Sequence, residues 1–444
     1  MLSKLSRNKS IDFLIIYERK NRELENAILL QSELERRGFV CKIAQFYDGA
    51  AFNIFNHNPP GVIVVPHLYD TNEVARVVAR FGRPSAIVNL QYEQVLSEKW
   101  EKHGHHNPKG LAIYGHHVCW GWKTVDRLHN AGVPRDNLHL LGAIQLDLLR
   151  SEFTQPENSR KQLAKEFCLP DAKAWNLFLS SFTYADIEEH RLAMNESVAG
   201  TNLSSFVKIH TKSRDEILIW FERILEIDVE TIFIYRPHPD ELNLEKVLKL
   251  QEKFDNFHVI SAFAAKVWIE ASDKIFSWYS TTIVESHFLD KAYSILRPYE
   301  LPDYFDSVLL RHGVFVETYS DFKGIYLSSS KVKSKALDNK FIDMYYSTDN
   351  AQPSFVLLSD FLVNLLGRST RLITPNWKLI FKYKIISLAV LLVYWLYCTF
   401  SLESIKPLKF KFLANWFKEF KTQIADGQEL NSIRKTIDSR IGPS

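Results

Sequence analysis

Cysteine is scarce in this chain, and its four copies, Cys41, Cys119, Cys168 and Cys398, stand far apart with no C-x-x-C pair. That speaks against a disulfide framework or a thiol-redox motif and fits buried thiols in a reducing compartment. Two nucleotide signatures are missing as well. There is no G-x-G-x-x-G and no G-x-x-x-x-G-K-[ST], which argues against a dinucleotide oxidoreductase and a P-loop NTPase. No D-x-D stands in a strand-end turn, and His103, His105, His106, His116 and His117 match no helical metal pair such as H-E-x-x-H. Neither a resident metal nor another cofactor is therefore expected. The residues before Ile11 are polar and basic, and the apolar run Ile11–Tyr17 is short and interrupted by Asp12, unlike a secretion signal. The body is expected to stay in the cytoplasm.

Strong net charge is also lacking, but the small total of +3 is unevenly spread. From Arg368 onward there are 13 Lys/Arg against 5 Asp/Glu, a net of +8, which leaves −5 on residues 1–367. An acidic body carries no basic face for nucleic acid. A basic tail suits an anionic lipid surface.

What the chain does have is 46% hydrophobic residues arranged in short runs. Ile11–Tyr17, Phe39–Ala44, Val62–Val65, Ala86–Leu90 and Asn137–Leu141 read as strands. Helical patterns lie between them, including segments at Thr71–Phe81, near Glu93–Trp100 and around Trp120–Leu128. A second series starts at Leu177–Ser181 and continues through Glu230–Tyr235, His258–Ile260, Lys274–Trp278 and Tyr293–Leu296. Continuous apolar strands alternating with helices predict doubly wound parallel sheets. The expected domains are 1–150, 151–345 and a helical tail, 346–444. In the tail, Ile385–Leu402 is an uncharged run of 18 residues, near the lower limit for a membrane span. Lysines flank it on both sides, which favours a monotopic or re-entrant anchor over a crossing, with a soluble buried helix as the third alternative. Leu408–Lys421, dense in aromatics and lysines, suits a helix lying in the bilayer surface.

Two turns at strand ends carry the candidate chemistry, because ligands of open parallel sheets sit beyond the carboxyl ends of the strands. Thr231–Tyr235 stops at Arg236-Pro-His-Pro-Asp-Glu241, and Lys274–Trp278 stops at Tyr279-Ser-Thr-Thr282. Thr282 and Glu285 fit an S/T-x-x-E capping box, so the first turn of that helix offers backbone N–H groups and the hydroxyls of Ser280, Thr281 and Thr282 to an anion. Arg236 and His238 supply charge and a hydrogen-bond donor to a departing phosphate. Glu285 reads either as a ligand for a ribose hydroxyl or as the completed cap. A plain capped helix and an exposed histidine in a proline-rich turn are the alternatives.

The R-P-H-P turn, the Y-S-T-T-x-x-E segment and the run W-G-x-x-T-x-x-x-L-x-x-x-G-V-P-x-x-x-L-x-x-x-G from Trp120 to Gly142 together resemble bacterial surface-carbohydrate biosynthesis proteins. Tyr17-Glu-Arg-Lys-Asn-Arg-Glu-Leu24 resembles the opening of the same group. The resemblance spans roughly residues 11–330 and leaves the tail outside. These proteins are similar to GT-B glycosyltransferases and, at a distance, to CDP-glycerol glycerophosphotransferases and capsule sialyl- and Kdo-transferases. The resemblance implies a GT-B-like α/β fold of two Rossmann-type domains facing a cleft, with a membrane-associating helical tail. It implies that His238-Pro239 and Ser280-Thr281 contact the donor phosphate. The acidic D/E-D/E-G motif of the CMP-sugar transferases is absent here, so the sugar and the base do not carry over.

Glu18, after the first strand, and Glu93, after the fourth, are the candidate general bases, each with a structural alternative: a salt bridge from Glu18 to Arg19 or Arg22, and a helix-start carboxylate at Glu93. The expected function is metal-independent transfer of a sugar from a nucleotide-activated donor to a lipid-linked surface glycan at the cytoplasmic face of the membrane. A polyol-phosphate transferase using a CDP-alcohol, a nucleotide-sugar 2-epimerase and a non-catalytic scaffold of a polysaccharide assembly complex are the competing readings.

Overall fold

Runs of four or five largely apolar residues, buried on both faces, form the central strands Phe13–Tyr17, Val62–Val65 and Trp175–Leu179, as a parallel sheet covered by helices requires. The computed structural model describes residues 10–46, 58–241, 243–328, 336–347, 352–368, 372–400 and 421–441. The chain divides into two compact units. The first comprises Met1–Gln94, His106–Leu148 and Tyr345–Ser444, and the second Val95–His105 with Leu149–Met344.

The first unit holds β1 (Phe13–Tyr17), β2 (Cys41–Gln45), β3 (Val62–Val65), β4 (Ala86–Asn89), β5 (His116–Cys119) and β6 (Leu138–Leu140), all parallel, in the order β2-β1-β3-β4-β5-β6. Leu14, Ile63 and Ile87 from three strands meet Val74, Val77 and Phe81 of the Thr71–Phe81 helix in a continuous core. The sheet order reverses at β1, with β2 on one side and β3 on the other, so the topological switch point lies at the carboxyl ends of β1 and β3.

The second unit holds β7 (Trp175–Leu179), β8 (Ile232–Arg236), β9 (Phe257–Val259), β10 (Lys274–Ser277), β11 (Ala292–Leu296) and β12 (Phe315–Val316), in the order β12-β11-β10-β7-β8-β9. All of its pairs are parallel, with Leu179 in register with Arg236 on one side and Ser277 on the other. Its core is aromatic: Phe178, Phe221, Phe233, Phe276 and Phe322 stack behind the sheet. The switch point lies between β7 and β10.

Three local expectations change. The helix placed near Glu93 begins only at Glu98, capped by the Ser97 hydroxyl. Gln91 stands in the left-handed region (φ 44°), which stops a helical turn, and the Gln94 amide is tied to the Val118 carbonyl and the Trp120 N–H. Thr282 already has helical dihedrals and makes no side-chain cap. The Ser280 hydroxyl accepts the Thr282 N–H instead, at 3.3 Å, so the expected capping box does not form. The tail helices, finally, belong to the first unit. Asp147 accepts the backbone N–H groups of Ser354 (3.0 Å) and Phe355 (2.6 Å) and so anchors the Ser354–Leu366 helix. The Gly427–Ile441 helix lies against Lys20–Arg36, with Lys20 paired to Glu429 at 3.1 Å. The Tyr17 hydroxyl, at the end of β1, accepts the Ala425 N–H at 3.1 Å.

Among the described residues no helix is long and apolar enough to cross a membrane. Of the expected anchor at 385–402, residues 401–402 lie outside the described residues, as does nearly all of the expected surface stretch 408–421. The Trp377–Phe400 helix lays one face on Thr71–Phe81, where Arg80 donates to the Ser387 hydroxyl at 3.2 Å.

Candidate functional site

In the second unit, β8 ends at Arg236 and the next six residues turn on a buried carboxylate. Glu241, 5% exposed, accepts from the hydroxyls of Tyr235 and Ser180, both at 2.6 Å, and from the His238 N–H at 3.3 Å. Burial pushes its pKa up. Ser180 and Tyr235 are themselves 2.7 Å apart. The three side chains thus form a closed ring of polar contacts. The prolines of the turn and this ring hold His238 from below.

His238 is 41% exposed at its side chain. Its Nδ1 accepts the Asp240 N–H at 3.1 Å, so the neutral ring carries its proton on Nε2. The turn thus makes His238 a hydrogen-bond donor through Nε2. Arg236 is placed differently from expectation. Its guanidinium donates to the Ala262 carbonyl at 2.7 Å and to the Phe263 carbonyl, where Phe263 takes a left-handed φ of 63°. Burial lowers its pKa to about 10, while the Glu285 carboxylate works in the opposite direction. Arg236 remains a cation at neutral pH, with two of its five N–H groups engaged by the loop at residues 262–263.

Ser280 is buried, Thr282 half-buried and Thr281 exposed. With the Ser280 hydroxyl capping the turn, Thr281 presents its side chain outward. The β10 turn does not adjoin the β8 turn directly, because β7 runs between their strands. The end of β7 bridges them: Ser180 reaches Glu241, and the Ser181 hydroxyl accepts the Tyr279 N–H at 3.2 Å. Ser180, Ser181 and Glu241 escape a reading of the sequence. The Ser-Ser pair at a strand end was the available signal, and its meaning depends on β7 being central.

In the first unit, Glu18 follows β1 and His67 follows β3, one on each side of the switch point. Nε2 of His67 lies 3.4 Å from a Glu18 oxygen, and Nδ1 lies 3.2 Å from Glu73. Glu73 is fixed in turn by the Tyr69 N–H, and Asp70 caps the same helix by accepting the Glu73 N–H. Burial alone pulls the His67 pKa down, yet the two carboxylates together raise it to about 9. Glu18 does not pair with Arg22. Arg22 binds Glu23 at 2.7 Å and Glu93 at 2.9 Å. Glu93 also meets His106 at 2.9 Å, and that contact, with Arg22, holds its carboxyl well below the usual range. A carboxylate held by a guanidinium and an imidazole is a weakened proton acceptor, which weighs against Glu93 as the base, and the His67 contact acts on Glu18 in the same sense.

The other histidines of the expected loop find separate partners. His116 meets His139 at 3.0 Å, His117 bonds Asn89 and the Ala112 carbonyl, and His103 meets Tyr304. Among the described residues no three His, Cys, Asp or Glu side chains are grouped to hold a metal ion.

No family model matches the chain, and no curated protein matches it. Solved structures do. The Staphylococcus aureus MnaA–UDP co-structure matches with a TM-score of 0.52 at 11% identity, over 82% of this chain and 99% of that one. A His-to-Asn variant of the wall teichoic acid polymerase TagF with CDPG matches with a TM-score of 0.51 at 9% identity, over 80% and 88%. A putative UDP-N-acetylglucosamine 2-epimerase from Listeria monocytogenes gives 0.49 at 11% identity, over 82% and 99%. At these identities the likeness is one of fold. The chain has a GT-B-like α/β fold of two six-stranded parallel sheets.

Proposed function

We propose that the chain is a glycosyltransferase that moves a sugar from a nucleotide-activated donor to a lipid-linked surface glycan without a metal ion. The observation that carries this reading is the His238 turn. A strand-end imidazole whose Nδ1 is occupied by its own backbone offers Nε2–H to an anion beyond the sheet. The second unit holds the donor. His238, the hydroxyls of Thr281 and Thr282, and the backbone around Ser280 contact its phosphates, and Arg236 with Glu285 shapes the wall of the same rim. Glu285 is the candidate ligand for the ribose.

The first unit holds the acceptor, with Glu18 as the base. The acceptor hydroxyl gives its proton to Glu18 as its oxygen bonds to the sugar carbon. The bond from that carbon to the donor phosphate breaks, and its electron pair stays on the phosphate oxygen that His238 steadies. Glu93 serves here by holding Arg22 and His106. The missing D-x-D supports a leaving group stabilised by side chains and backbone.

A polyol-phosphate transferase is the second reading, favoured by the likeness to TagF with CDPG. A thermal-shift screen over CMP, CDP, UDP and GDP tests both. One of these nucleotides is expected to raise the melting temperature, and His238→Ala is expected to lose most of that shift. A cytidine diphosphate preference followed by turnover of a CDP-alcohol supports the second reading. A chain that responds to no nucleotide is a scaffold.

A further inference from the structure

The Trp377–Phe400 helix carries large apolar side chains on the face turned away from the protein. Trp377 is 69% exposed, Phe381 56%, Ile385 52%, Leu388 41%, Leu392 57% and Trp395 57%. At 100° per residue these six fall within an arc of about 80°, and along the axis they extend about 27 Å. The opposite side is held by the first unit. Ser387 is buried against Arg80, and Tyr383 lies with its ring centre 5.3 Å from the Arg76 guanidinium. A contiguous apolar face of this size on a folded unit marks an interaction site.

The charges around that face name the partner. The helix contains Lys378, Lys382 and Lys384 and no Asp or Glu. Lys378 and Lys382 border one side of the arc and Lys384 the other, and all three are exposed. Apolar rings flanked by lysines are the pattern of a helix lying in a bilayer surface, with the rings among acyl chains and the ammonium groups at anionic headgroups. A crossing is incompatible with the docked face, because it would carry Arg80 and Arg76 into hydrocarbon. Pairing with a second copy would bury three lysines against a helix that offers no carboxylate.

We propose that this face is a membrane-docking surface that lays the Trp377–Phe400 helix flat on an anionic phospholipid bilayer. The inference stands apart from the proposed reaction. It concerns where the first unit sits, and it holds whether the chain transfers a sugar, a polyol phosphate or nothing.

Co-sedimentation of the full chain with vesicles tests it. Binding is expected to vesicles of phosphatidylcholine mixed with phosphatidylglycerol and to be far weaker with phosphatidylcholine alone. Replacing Lys378, Lys382 and Lys384 by Gln should weaken binding roughly fivefold per lysine, about a hundredfold in all. Phe381→Asp with Leu392→Asp should abolish it and leave the nucleotide response unchanged. Should the Asp variant misfold, the lysine variant still decides, since its changes are confined to exposed side chains. The proposal is overturned if the wild-type chain ignores both vesicles, or if the lysine variant binds as tightly as wild type. A lipid-free dimer that Phe381→Asp converts to monomer overturns it as well, because the face would then belong to a second copy.

Discussion

Nε2 of His67 lies 3.4 Å from the Glu18 carboxylate, although β2 and a long connection separate the two residues in the chain. They meet because β1 and β3 are neighbours in the sheet. A Glu73 oxygen lies 3.2 Å from the other ring nitrogen, so the imidazole has a carboxylate on each side.

That placement has a pH signature. His67 is expected to titrate near pH 9 by histidine-selective NMR, against an ordinary value of 6.5. Because the folded pKa is the higher one, the stabilisation is complete below pH 6.5 and lost as pH rises through 9. The amount is on the order of 1–3 kcal/mol. His67→Asn should flatten unfolding free energy across that window. A His67 midpoint at or below its ordinary value would contradict the arrangement.

The two carboxylates proposed as bases from sequence now separate. Glu18→Gln should lower turnover by roughly 10²–10⁴-fold, as removal of a general base does. Glu93→Gln should cost far less turnover, because its carboxylate is spent on Arg22 and His106. Equal losses in the two variants, measured with the nucleotide sugar that the thermal screen selects, would remove the distinction.

His238→Ala should reduce turnover by roughly 10²–10³-fold, the range seen when one donor to a developing oxyanion is removed. Arg236→Ala should act otherwise. It leaves the Phe263 carbonyl without the guanidinium donor, while the Ala262 carbonyl keeps the Trp268 indole N–H at 2.8 Å, so its main effect is on stability, about 1–3 kcal/mol. Chemical denaturation of both variants beside the nucleotide shift checks this division of roles.

The strands and their turns were legible in the chain because apolar runs such as Phe13–Tyr17 and Trp175–Leu179 tolerate no polar face. The order in which they lie side by side was not. His67 gains meaning only once β3 adjoins β1, and Ser180 and Ser181 only once β7 stands between β8 and β10. The spacing of Thr282 and Glu285 satisfied a capping motif, yet Ser280, two residues earlier, takes the cap because the chain is already helical at Thr282. That Arg236 also donates to the carbonyls of residues 262–263 was not legible, since nothing in its neighbourhood of sequence showed that they would reach it. The tail read as a separate anchor because its contacts, from Asp147 to Ser354 and from Tyr17 to Ala425, join distant parts of the chain.

The hydrogen-bonded ring of Glu241, Tyr235 and Ser180 gives the last prediction. Its carboxyl group lies 2.6 Å from each hydroxyl, and burial, acting against those hydrogen bonds, raises its folded pKa. Between the ordinary carboxyl value and the raised one, the folded state binds a proton that the unfolded chain has already released. Stability falls as pH climbs from the ordinary carboxyl value through the raised one, and is level above it. Glu241→Gln keeps a donor and an acceptor in place at every pH, so it should remove that slope at modest cost. Glu241→Ala strands two buried hydroxyls and should cost about 2–4 kcal/mol. If the ring is what holds the His238 turn, Ala will also weaken the nucleotide-induced thermal shift while Gln preserves it. A Gln variant that retains the wild-type pH slope would show that another group carries the proton.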